Sequence, residues 1–143
     1  MPSPRRLSRF MAHRSGFEKK IEAQLKEAKV EYKYESESIE WLRKISKGRC
    51  AGCGSDEVFQ RCTYTPDFVL GNGVWIESKG YLDGPDRTKL RSIRAQFPKL
   101  DLRLVFQRDN VIPGTKNKTR YSEWAEKNGF KWALKVVPKS WLV

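Results

Sequence analysis

The sequence predicts a small α/β domain, a mixed β-sheet flanked by helices, and three observations carry that prediction. Short runs alternate apolar and polar side chains with the period of a strand: Val30 to Tyr34, the two arms around Asn72-Gly73, Leu102 to Phe106, and Phe130 to Leu134. Between and before them, apolar residues recur at helical spacing, as in Phe17, Ile21 and Leu25 or in Leu90, Ile93 and Phe97. The chain has 143 residues, 38% of them hydrophobic, which fills one modest core and leaves none for a second. Strands and helices sharing one core give helices packed on the faces of a sheet.

Residues 1–14 hold Arg5, Arg6, Arg9 and Arg14 with little apolar content. They read as a flexible basic arm that either grips phosphates or only solubilises. Residues 15–143 then form the single domain. A helix begins at Ser15, with Phe17, Ile21, Leu25 and Ala28 as its apolar stripe. Ser15 and Glu18 have capping-box spacing, a complete local explanation for Glu18. The functional alternative is that Glu18 reaches a metal site from the helix start, and local chemistry leaves both open.

Val30, Tyr32 and Tyr34 alternate with Glu31, Lys33 and Glu35 as a first strand. Residues 36–61 are the least readable. Ile39, Trp41, Leu42 and Ile45 suit a short helix or a bulged strand, and Ser46 to Gln60 reads as loop. Thr65 to Gly80 reads as a half-buried hairpin, turning through Asn72-Gly73 with positive φ at both residues. After a turn at residues 81–85, Asp86 is the expected N-cap of a helix that runs to Phe97 and ends at Pro98. Arg87, Lys89, Arg91 and Arg94 cover its outer surface. Leu102 to Phe106 is a buried strand, residues 107–118 a polar basic loop, Ser122 to Asn128 a helix closed by Gly129, and Phe130 to Leu134 the last strand.

The net charge of +12, from 29 basic against 17 acidic residues, points to a polyanionic partner, and for this kind of chain to nucleic acid. No run approaches the ~20 apolar residues of a membrane span. The N-terminus lacks an apolar h-region, so it is not a secretory signal, although its composition also suits a transit peptide. Three cysteines, two of them in Cys50-x-x-Cys53, argue against a disulfide scaffold and for a reducing cytoplasm.

The hairpin carries the chemistry. Glu77 and Lys79 lie two apart on one strand and so share a face, and Asp67 on the other arm comes near them. Two carboxylates and an ammonium on one rigid sheet suit a hard divalent cation, Mg²⁺ with Mn²⁺ as substitute, bound through oxygen and completed by substrate phosphate. The bland alternative is an amphipathic hairpin with a solvated polar face. Pro66-Asp67 followed by Glu77-Ser78-Lys79 resembles the signature of the PD-(D/E)xK nuclease superfamily, a pattern that also arises by chance in Lys- and Glu-rich chains.

A longer set of ordered residues is more specific. Arg14-Ser15-Gly16 stands before Glu18; Tyr64-Thr65-Pro66-Asp67-Phe68 and Asn72-Gly73 precede Glu77, Lys79 and Gly80. Asp86-Arg87, Leu100-Asp101, Leu104-Val105-Phe106, Tyr121, Glu126-Lys127, Pro138 and Trp141 follow. From Arg14 to Leu142 the chain resembles the phage endonuclease I family of Holliday-junction resolvases. That resemblance implies a restriction-endonuclease-like nuclease core, an intertwined homodimer in the host cytoplasm, and cleavage of four-way junctions and other branched DNA read by shape. It implies an active site of Glu18, Asp67, Glu77 and Lys79. Asp67, Glu77 and the Ser78 backbone carbonyl would hold one Mg²⁺, Glu18 would help hold a second, and Lys79 would position or activate water. Arg14, Arg87 and Lys89 are the expected phosphate contacts.

The departure from the family is the cysteine-containing bridge around residues 36–62. Cys50, Cys53 and Cys62 are candidate ligands of a structural zinc, which normally takes four Cys or His. His13, Asp56 or cysteines shared between two chains are the candidates for the fourth. The competing reading is a free-thiol loop. Two other functions fit parts of the pattern: a non-catalytic basic DNA-binding module, or another nuclease of the same superfamily with a restriction-like or transposon-end substrate.

Overall fold

In a computed structural model, which describes residues 16–45 and 58–143, the strand that organises the sheet is β5 (Trp75–Lys79). It pairs antiparallel with β4 (Phe68–Leu70) and parallel with β6 (Leu102–Phe106). The sheet closes outward with β1 (Tyr32–Tyr34) antiparallel to β4 and β7 (Trp132–Leu134) parallel to β6, giving the order β1-β4-β5-β6-β7. The change from antiparallel to parallel pairing has a chain-connectivity cause. A tight turn joins β4 to β5, whereas β5, β6 and β7 are linked by crossovers through α2 (Gly84–Gln96) and α3 (Tyr121–Lys127).

Those two helices cover one face, where Leu90, Ile93, Tyr121, Trp124 and Ala125 pack with Val69, Trp75, Leu104 and Phe106. The helix α1 (Gly16–Glu27) covers the other, packing Phe17, Ile21 and Leu25 on Phe68, Leu70, Val74, Ile76 and Val105. The protein is therefore a mixed sheet between helical layers, as the alternation of patterns predicts.

The hairpin differs from its half-buried expectation. All of β4 is buried, and so is β5 up to Ser78. These are the central strands of a two-faced sheet, so the period of two sorts side chains between two cores rather than between core and water. The turn is also not a primed one. Among the described residues of this turn only Gly73 has positive φ, at 89°, and Gly73 N–H donates to Leu70 C=O at 3.0 Å. A three-residue loop closed by a left-handed glycine is the other common hairpin solution.

Three boundaries move. Ala28 lies beyond the end of α1 and is exposed, leaving Phe17, Ile21 and Leu25 as the stripe. The N-cap of α2 is Asp83, whose carboxylate accepts the Asp86 N–H at 2.8 Å, so Asp86 sits inside the first turn and its side chain is available elsewhere. The poorly readable stretch holds two seven-residue strands, β2 (Ile39–Ile45) and β3 (Val58–Tyr64), paired antiparallel without a bulge from Ile39–Tyr64 to Ile45–Val58. Expected loop at 58–60 is thus strand. The Gln96 side chain clamps this ribbon to α2, donating to Leu42 C=O and accepting Leu42 N–H, each at 2.8 Å.

After β7 the chain ends in a 3₁₀ turn (Lys139–Trp141) whose Trp141 is buried against the α1 face. Among the described residues no helix is long and apolar enough to cross a membrane.

Candidate active site

Asp67 immediately precedes β4 and is buried, at 8% exposure, because β1 and β5 flank it. Its Oδ2 accepts two bonds from one residue of the next strand, Ser78 N–H at 2.8 Å and Ser78 Oγ–H at 2.6 Å. These bonds fix the carboxylate rotamer and leave Oδ1 directed to other partners. One strand over, the buried carboxylate of Glu77 accepts from the hydroxyl of Tyr64, the last residue of β3. Its other oxygen lies 3.5 Å from Lys79 Nζ. Lys79 in turn lies 3.3 Å from Asp86, which also faces Lys89 at 3.8 Å, and the Lys89 ammonium sits 5.3 Å over the Tyr64 ring. The shift of the α2 cap to Asp83 is what turns Asp86 toward these lysines.

From the opposite helical layer, α1 brings Glu18. Tyr34 in β1 donates its hydroxyl to Glu18 at 2.7 Å, and Tyr32 does the same to Glu22 at 2.8 Å, so two strand tyrosines seat the helix. Glu35 follows, with φ at 44° and its N–H donating to the Asp67 carbonyl at 3.0 Å. Carboxylate oxygens of Glu18, Glu35 and Asp67 lie within 4.8 Å of one another.

Electrostatics set this cluster apart from a solvated face. Burial pushes the Asp67 carboxyl well above the usual carboxylate range, and the charges of Glu77 and Glu18 add to the push against the Ser78 bonds. Burial raises Glu77 too, opposed by Lys79 and by the Tyr64 hydroxyl. Burial alone would lower the Lys79 ammonium, yet Glu77 and Asp86 outweigh it and hold it above an ordinary lysine. The Tyr64 hydroxyl is raised by burial and then by Glu77, and Tyr34 by burial and then by Glu18, so both remain protonated donors. Buried carboxylates whose surroundings disfavour ionisation, as at Asp67 and Glu77, mark a candidate functional site.

Comparison with known proteins agrees with that geometry. Residues 3–143 match the family of phage endonuclease I. The chain is 35% identical over 131 residues to "Endonuclease I" of Escherichia phage T7, covering 92% of this chain and 78% of that protein. It is 39% identical over 135 residues to "Endodeoxyribonuclease 1" of Enterobacteria phage T3, covering 93% and 78%.

The chain belongs to the phage endonuclease I family.

The structure brings together the four residues that the family resemblance implies, Glu18, Asp67, Glu77 and Lys79, at one end of the sheet. Two further residues that the sequence does not mark, Glu35 and Tyr64, lie against them. Glu35 reads in sequence as the polar member of an alternating strand; its left-handed backbone turns it into the cluster. Tyr64 stands in the quoted run before Asp67, but nothing in its spacing announces a bond to Glu77. The all-oxygen donor set of Glu18, Glu35 and Asp67 fits a hard divalent cation.

Of the expected phosphate contacts, Lys89 borders the site, while Arg87 donates to the Leu82 carbonyl at 2.8 Å and braces the turn before α2. Arg14 lies outside the described residues, as do Ser15 of the capping box and Cys50, Cys53, His13 and Asp56 of the candidate zinc set. Cys62 is described: it pairs with Trp41 across the ribbon, packs inward on the core, and its Sγ lies 3.8 Å from the Gln60 carbonyl.

Proposed function

We propose that this protein is a structure-selective DNA endonuclease that cleaves four-way junctions and other branched DNA by divalent-metal-dependent phosphodiester hydrolysis. The observation that carries the reading is the gathering of Glu18, Glu35 and Asp67 beside the Glu77–Lys79 pair, in a chain of the phage endonuclease I family. Asp67, Glu77 and the Ser78 backbone carbonyl would hold Mg²⁺, with Mn²⁺ as substitute, and Glu18 with Glu35 would hold a second ion. A divalent ion so held would supply Lewis acidity toward phosphate oxygen and a more acidic bound water.

The side chains divide the remaining work. Tyr64 orients Glu77 and leaves its second oxygen, which faces Lys79, for the ion. Lys79, an ammonium at neutral pH under the pull of Glu77 and Asp86, positions water and offsets charge rather than abstracting a proton. Lys89, Arg87 and Arg14 steer the DNA backbone, which fixes register without reading bases. Branched DNA is favoured because recognition through phosphates and deformability selects shape.

Paired nicks in one branched molecule call for two such centres, so the working form would be a homodimer, intertwined through exchanged elements, in the host cytoplasm. Each chain contributes one nuclease domain, residues 15–143, and a basic arm, residues 1–14. A structural zinc on Cys50, Cys53 and Cys62, completed by His13, Asp56 or a cysteine of a second chain, rests on the sequence pattern alone; metal analysis of the purified protein decides it.

The test is a synthetic four-way junction and a matched linear duplex, each with Mg²⁺ or EDTA, and the Glu77→Ala variant alongside. Mg²⁺-dependent cutting of the junction alone, lost in the variant, is the expected result. Equal cutting of both DNAs removes the branch selectivity and keeps the nuclease. Tight binding with no cutting under any metal leaves only a basic DNA-binding module.

A further inference from the structure

The β2–β3 ribbon leaves the site directly, since Tyr64 at its near end is bonded to Glu77 and its far end is Ile45 opposite Val58. Residues directly opposite in an antiparallel pair share a face. Ile39–Tyr64 and Trp41–Cys62 face the core, so Glu40–Thr63, Leu42–Arg61 and Lys44–Phe59 face outward. On that outward face Leu42 is 44% and Phe59 50% exposed, each opposite a cation. Leu42 and Phe59 are diagonal neighbours on this face, so they form one exposed apolar patch flanked by Arg61 and Lys44, the polar-rimmed kind that marks an interaction site, and the two cations disfavour an apolar protein partner. Seven residues at about 3.3 Å each carry the strand roughly 20 Å from the site, the length of about six base pairs. A two-stranded ribbon also has the cross-section that a DNA major groove admits.

We propose that the outward face of the β2–β3 ribbon, Leu42, Lys44, Phe59 and Arg61, is a second DNA-contact surface that grips the duplex arm leaving the cleavage site. Lys44 and Arg61 meet phosphates, and Phe59 and Leu42 lie against the sugar and groove wall between them. The proposal rests on the nuclease reading for which DNA arm it grips, but not for whether it binds DNA. The one anion of this face, Glu40, lies at the end nearest the site, and the two cations beside the apolar pair, in a chain of net charge +12, favour duplex DNA over a second protein copy.

The test measures binding of the full-length protein to a labelled four-way junction in EDTA across a salt series, for wild type, Lys44→Ala/Arg61→Ala, Phe59→Ala and, on the opposite face, Arg43→Ala. Single-turnover cleavage at saturating protein in Mg²⁺ and sedimentation velocity accompany it, with thermal melts to verify folding. The double variant is expected to weaken binding by about tenfold and to reduce the salt slope by about 2, for two lost phosphate contacts. Phe59→Ala is expected to weaken binding several-fold with the slope kept, and both variants to cut at the wild-type rate once saturated. Unchanged affinity and slope overturn the proposal, as does an Arg43→Ala loss equal to that of the double variant, which would mean diffuse charge. Altered sedimentation with unaltered DNA affinity assigns the face to a second copy of the chain instead. If wild type binds but never cuts, while the ribbon variants still bind more weakly, the nuclease reading fails and the ribbon surface stands.

Discussion

The hydroxyl of Tyr64 donates to the carboxylate of Glu77, joining the last residue of the β2–β3 ribbon to the middle of the central strand. Both groups are buried, so the bond replaces water that the carboxylate would otherwise need. It also occupies one oxygen of Glu77, which leaves the other, 3.5 Å from Lys79 Nζ, open to a bound ion as well.

Tyr64→Phe keeps the ring and removes this one donor. The variant is expected to fold and to lose about 1–3 kcal/mol of stability, the usual cost of stripping a partner from a buried polar group. Cleavage is expected to fall about tenfold and to need more Mg²⁺ for half-maximal rate, because Glu77 is no longer held in one rotamer. A Mg²⁺ titration of single-turnover cutting checks this, and a variant that loses stability but keeps its metal requirement would reduce Tyr64 to a packing residue.

The raised Asp67 and Glu77 carboxyls make the metal-free fold pH-dependent in a stated direction. An acid whose folded value lies above its unfolded one binds more protons in the native state, so stability falls as pH rises from the ordinary carboxylate range through the folded values. A cation reverses this by binding the ionised forms. The rise in melting temperature on adding Mg²⁺ is therefore expected to grow from pH 5 to pH 8. Asp67→Asn is expected to raise the metal-free melting temperature at pH 8, to abolish most of the Mg²⁺ response and to abolish cutting. Calorimetry at three pH values with EDTA or Mg²⁺ measures all of it; a Mg²⁺ response independent of pH contradicts the linkage.

Glu35 tests whether the acidic cluster or the linear signature describes the metal site better. Its carboxylate meets those of Glu18 and Asp67 within 4.8 Å, although it is exposed and follows the strand end. Glu35→Gln retains size and removes charge, and is expected to weaken Mg²⁺ affinity about tenfold, the low end of the range for loss of a supporting group at a metal site. Glu37→Gln, two residues on and also exposed, is the control with no expected effect.

The same contrast explains what the sequence could and could not disclose. Asp67, Glu77 and Lys79 were legible because they ride on a regular hairpin, where spacing alone fixes which side chains share a face. Leu90 and Ile93 were legible for the same reason on a helix. Glu35 was hidden because its placement depends on a left-handed backbone at a non-glycine residue, which no residue pattern signals. The ribbon was hidden because Arg43 and Gln60 interrupt its inward face, breaking the alternation of Trp41, Ile45, Val58 and Cys62. The Asp83 cap was misplaced by three residues because Asp83 and Asp86 each offer a capping carboxylate, and Pro85 in the first helical turn decides for the earlier one.

Gln24 links the seating of α1 to the chain's end. Its amide donates to Val137 C=O at 2.6 Å and accepts Val137 N–H at 2.8 Å, tying the helix that carries Glu18 to the segment after β7. Gln24→Ala strands both backbone groups, which are partly buried, at an expected cost of about 1–3 kcal/mol. At this chain length that lowers the melting temperature by several degrees. Because Tyr34 and Tyr32 still hold Glu18 and Glu22, cleavage is expected to fall less than twofold at 25 °C, with the loss growing as temperature approaches the new midpoint. A large loss of cutting at 25 °C with unchanged melting would show that Gln24 acts on the site itself and not on the docking of its helix.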